Sequence, residues 1–69
     1  MKGDTMRPLI EILEDERTLM QKLESIYRYM GKTEDLEILG ILNAQKEKTE
    51  REINKVRTEL LDYMEELLG

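Results

Sequence analysis

Apolar residues recur every three or four positions along nearly the whole chain, and they do so in two blocks. In the first, Leu9, Ile12, Leu19, Leu23, Ile26 and Met30 form one stripe, broken only at Glu16. A second stripe, Met6, Ile10, Leu13, Met20 and Tyr27, runs beside it. Together they make a face wider than a two-stranded seam requires, so this helix expects more than one neighbour. The second block, Glu34 to Leu68, contains no proline and one glycine. Its seam runs Leu39, Leu42, Lys46, Thr49, Ile53, Val56, Leu60, Tyr63, Leu67. Both blocks predict helices by their spacing.

End signals place the boundaries. Asp4 or Thr5 can cap the first helix, with Pro8 in its first turn. Gly31 occupies the position of a left-handed C-terminal residue, and Thr33 then reads as the next N-cap, followed by Glu34 and Asp35. The expectation is one hairpin domain over 1–69, with helices over about 5–30 and 34–68 and a turn over 31–33. Helices so closely joined pack antiparallel. Folding about Lys32–Thr33 sets Leu9 against Val56, Ile12 against Ile53, Leu23 against Leu42 and Ile26 against Leu39. The two polar interruptions then coincide, Glu16 meeting Thr49 and Leu19 meeting Lys46, as a polar layer that fixes register. Gly40 and the polar run 43–52 are the weak points, where a break would give three helices.

Length turns this layout into an expectation about assembly. A chain of 69 residues has too little interior to be comfortably stable alone, and disulfides, metals or oligomerisation are the usual remedies. With no Cys and no His, oligomerisation is left. At 1.5 Å per residue the second helix is the longer by two to three turns. Its overhang is the most apolar part of the chain: Leu60, Leu61, Tyr63, Met64, Leu67 and Leu68. The all-α hairpin is therefore expected to form a four-helix bundle as a homodimer. Its interface would use Leu60, Leu61, Met64, Leu67 and Leu68, and the spare stripe Met6, Ile10, Leu13 and Met20. Tyr29, off both stripes and near the turn, is a candidate contact for a client protein.

Composition narrows the function classes. A net charge of −5 argues against nonspecific nucleic-acid binding. The locally basic segment Lys46–Arg57 is diluted by Glu47, Glu50 and Glu52 and carries no aromatics for base stacking. No apolar run approaches a membrane span and no secretory core follows Met1, so a cytoplasmic protein that binds neither membrane nor nucleic acid is expected. Ser25 is the only serine and has no base in sequence reach, so no nucleophile–base pair can be assembled. Gly31-Lys32-Thr33 matches the end of a phosphate-binding loop, but that loop needs a glycine at position 26, which is Ile, and follows a strand. No catalytic residue, cofactor or metal ligand is expected.

Two resemblances bear on the alternative. Glu34-x-x-Glu37 followed by Glu59-x-x-Asp62 resembles the carboxylate signature of the all-α nucleoside triphosphate pyrophosphatases, in which four carboxylates converge on Mg²⁺. On one continuous helix Glu37 and Glu59 would stand about 33 Å apart. The two-helix layout with its Gly-x-Thr turn also looks like that of the small aspartyl-phosphate phosphatases of bacterial sporulation. Their Ser-Gln-Glu-Leu-Asp signature is matched neither at Leu39–Asn43 nor at Thr58–Asp62. The leading expectation is a protein–protein interaction or regulatory module without catalysis. The alternative is a small Mg²⁺-dependent hydrolase or phosphatase-like hairpin.

Overall fold

The computed structural model describes residues 7–69. Two helices account for nearly all of them: α1 (Leu9–Lys32) and α2 (Leu36–Leu68), packed against each other as an all-α hairpin. Met6, Asp4 and Thr5, which carried part of the expected interface and the expected first cap, lie outside the described residues.

The helix ends differ from expectation in instructive ways. Pro8 precedes α1 rather than sitting inside it, and its carbonyl accepts from the backbone N–H groups of Glu11 and Ile12. A proline there loses nothing, because the N–H it lacks would have no partner in the first turn. Gly31 is not a left-handed terminator, since no described glycine has positive φ. It stays helical, and α1 continues to Lys32 before Thr33 turns extended, its N–H donating to the Tyr29 carbonyl. Thr33 is not the N-cap of α2 either. Asp35 is: its carboxylate accepts from the N–H groups of Glu37 at 2.9 Å and Ile38 at 3.3 Å. The Thr33 hydroxyl instead accepts from the Asp35 N–H, bracing the turn. A carboxylate is the better cap at this end, where the helix dipole favours negative charge.

α2 runs unbroken through Gly40 and the polar stretch after it. The alternative of three helices is therefore not realised. No backbone hydrogen bond is lost at Gly40, and pairing with α1 outweighs its poor helix propensity.

Both seams face inward as their spacing requires. Ile12, Ile26, Thr49, Ile53 and Val56 are buried, and Leu9, Leu19, Leu23, Met30, Leu39, Leu42 and Leu60 are half-buried. The register between the seams is not the expected one. Glu16 bonds Arg57 rather than meeting Thr49, and Leu19 lines a groove with Glu52 and Val56 rather than meeting Lys46. Leu42 lies beside Tyr29 and Thr33 rather than opposite Leu23. Cross-helix bonds join 16 with 57, 20 with 57 and 27 with 50, totals of 73, 77 and 77. The expected pairing totalled 65, so the bonded residues are displaced by eight to twelve positions, at least one heptad. An apolar repeat of seven fits itself equally well after such a step, and the later end of α1 at Lys32 and later start of α2 at Leu36 accompany the shifted fit. No polar layer forms. Thr49 is fully buried, yet its hydroxyl donates to the Gln45 carbonyl of its own helix at 2.8 Å.

Candidate functional site

The displaced register decides which surface residues are neighbours. On α1, Ile10, Leu13, Arg17, Met20, Glu24 and Tyr27 recur at alternating steps of three and four and so share a stripe. On α2, Glu47, Glu50, Asn54, Arg57, Leu61, Met64 and Leu68 do the same. Bonds across the helices show that the two stripes lie on one side of the hairpin. The Tyr27 hydroxyl donates to Glu50 at 3.2 Å. Arg57 donates through Nε to Glu16 at 3.2 Å and approaches the Met20 sulfur at 3.9 Å.

Ile10 therefore lies level with Met64, and Leu13 with Leu61, at the end of the hairpin away from the turn. These four side chains and Leu68 make one apolar area spanning both helices. Each keeps at least two-fifths of its surface uncovered, from 41% at Leu13 to 84% at Leu68. Further along come Arg17 and Arg57, the latter paired with Glu16, then the exposed Met20, then an acidic stretch of Glu24, Glu47 and Glu50 beside Tyr27. One side of the molecule thus runs from apolar through basic to acidic along its length.

The remaining expected interface residues are placed less uniformly. Leu60 is half-buried against α1, as is Tyr63, because the displaced register carries α1 further along α2 than expected. Leu67 continues the inward line of α2 but is 69% exposed. The apolar overhang is thus shorter than its sequence implied, and Leu60 contributes to the hairpin's own seam.

The opposite side is polar at the end away from the turn and carries exposed apolar residues, Tyr29, Ile38 and Ile41, nearer to it. Arg7 reaches across it, donating to Glu59 through two nitrogens at 2.6 and 3.1 Å and to Asp15. Hydrogen bonding to Glu59 first, and to Asp15 next, holds its guanidinium charged beyond its ordinary range. Near the turn this side has a shallow depression lined by Tyr29, Lys32, Thr33, Ile38 and Leu42. Tyr29 and Ile38 are both exposed there.

Helix α2 being continuous, Glu34 and Glu37 lie at the turn end while Glu59 and Asp62 lie towards the other. Among the described residues no group of three or more carboxylates comes together in a way that could hold a metal ion. The four-carboxylate constellation does not form within one hairpin, and Glu59 is engaged by Arg7 instead. No helix among the described residues is long and apolar enough to cross a membrane.

Comparison with protein families, curated proteins and solved structures finds no match for this chain.

What sequence reasoning missed is the alignment of the two apolar groups. The spare stripe of α1 and the exposed residues of α2 were legible separately as helical spacings. That they form one continuous surface depends on register, which a heptad repeat does not specify.

Proposed function

We propose that the chain is a homodimeric helical interaction module, and that the side bearing Ile10, Leu13, Leu61, Met64 and Leu68 is its assembly surface. One observation carries this: both helices contribute to an uncovered apolar area at the end of the hairpin away from the turn, built from residues remote in sequence. Monomers seldom leave such an area bare.

The hairpin's own packing supports the reading. Among the described residues four aliphatic side chains, Ile12, Ile26, Ile53 and Val56, make up the buried apolar core. A second copy covering the apolar side would add the interior that one copy lacks, and a twofold pair is the simplest closed arrangement. Each of the larger side chains newly buried would contribute about 1.5–3 kcal/mol before ordering costs. Client recognition would then fall to surfaces left free in the dimer, among them the depression lined by Tyr29 and Ile38.

Leu61→Glu and Met64→Glu put charges into the proposed interface without touching the buried seam. Light scattering after gel filtration should show a dimer for the native chain and monomers for each variant, with helical circular dichroism largely retained. Variants that remain fully dimeric would rule out this surface.

A further inference from the structure

We propose that Met20 is a site of oxidation by hydroperoxides, and that the sulfoxide formed there binds the Arg57 guanidinium across the two helices, so that oxidation tightens the hairpin. This goes beyond the assembly reading and does not depend on it, because Met20 lies outside the five residues assigned to that surface.

Geometry singles this methionine out. Met20, Met30 and Met64 lie among the described residues. Met30 is half-buried near the turn, and Met64 is exposed at the apolar end. Met20 is 43% exposed and borders an open groove lined by Arg17, Gln21, Leu23, Glu24 and Tyr27, so a small solute reaches it from solvent. Among the described residues it alone of the three has a hydrogen-bond donor on its sulfur, a terminal guanidinium nitrogen of Arg57 at 3.9 Å. Glu16 accepts from Nε of the same guanidinium at 3.2 Å, which holds the group beside the sulfur.

A thioether is a weak acceptor, so in the reduced protein this contact contributes little. Oxidation changes the acceptor. The sulfur lone pair attacks one oxygen of the hydroperoxide and the O–O bond breaks. The proton of the transferred oxygen moves to the departing one, which leaves as water or an alcohol. Sulfur gives up two electrons and the peroxide takes them, so no further reagent is needed. The product carries a polar oxygen on Sδ. Directed at Arg57, that oxygen closes the gap to ordinary hydrogen-bond length. The donor is charged, which makes the bond stronger than a neutral one. Glu24 lines the groove on the other side, and two acceptors avoid each other, so Arg57 is the favourable direction. Sulfoxide formation usually disrupts apolar packing. Here the side chain is already part-exposed and its donor is in place. Water competes for both partners, so the gain is that of a surface contact.

Met6→Leu, Met30→Leu and Met64→Leu together leave Met1 and Met20 as the methionines open to oxidation. Hydrogen peroxide treatment of this folded chain, followed by peptide mass spectrometry, should find the sulfoxide at Met20. The thermal midpoint should then rise by about 2–4 °C. With Arg57→Ala added, the same oxidation should leave the midpoint unchanged or lower it. Met20→Gln carries a carbonyl oxygen where the sulfoxide oxygen would be and needs no peroxide. Its effect on the midpoint should depend on Arg57 in the same sense, which removes any contribution from Met1. A midpoint that responds to oxidation equally with and without Arg57 overturns the inference. So does a Met20 that peroxide modifies only after the chain is unfolded. Either result leaves the dimer standing, since that is tested separately through Leu61→Glu.

Discussion

Asp35 carries the start of α2 almost alone. Its carboxylate takes two of the N–H groups that a helix start leaves without partners. Asp35→Ala should therefore lower stability by about 1 kcal/mol, read as a lower denaturant midpoint with an unchanged slope. Thr33→Ala, which removes only one 3.3 Å bond in the turn, should cost less; the reverse order would make Thr33 the true cap. That an acidic or hydroxyl residue near position 34 opens a helix was plain from the residues. Which of them caps was not, because Thr33 and Asp35 are both good caps and the choice depends on where α1 stops. Gly40 makes the complementary case. A Cβ built there meets nothing within 4 Å, so Gly40→Ala should raise stability by about 1 kcal/mol through helix propensity. A lowered Tm would mean that something packs closely against this position in solution.

At the scale of the elements, periodicity specified two helices, their inward faces and the continuity of α2, and all of these are present. It left the register open by one heptad, because Leu9, Ile12, Leu23 and Ile26 find apolar partners on α2 in either alignment. The coincidence of Glu16 with Thr49 and of Leu19 with Lys46 looked like a register pin, but side-chain reach undoes it. Glu16 extends to Arg57 at the edge of the seam, and Thr49 satisfies its hydroxyl on its own backbone. Thr49→Val tests this. With the hydroxyl bonded only to the Gln45 carbonyl, replacing it by a methyl group should leave stability unchanged or raise it. A polar layer spanning the helices would instead make Thr49→Val destabilising by one or more lost cross-helix bonds. Ile53→Ala, at the centre of the seam and 4% exposed, should cost about 2–5 kcal/mol as a cavity. For so thin a core that is enough to unfold much of the population at room temperature. The candidate surface inherits the same dependence: its stripes were readable one at a time, and their union was not.

For the whole molecule, the governing fact is asymmetry. One side of the rod is closed by Arg7 bridging Asp15 and Glu59, and the other opens an apolar end between two helices. A hairpin of this size has little interior of its own, so the free energy of its apolar end is available for association rather than for folding alone. Stability should then depend on concentration: thermal midpoints measured at two widely different protein concentrations should rise with concentration, as they do for any fold linked to self-association. The most direct check of the central claim is sedimentation equilibrium of the unaltered chain from one to one hundred micromolar. A mass rising towards twice 8.2 kDa over that range is the predicted result. A chain holding 8.2 kDa throughout, with its helices intact, would contradict it.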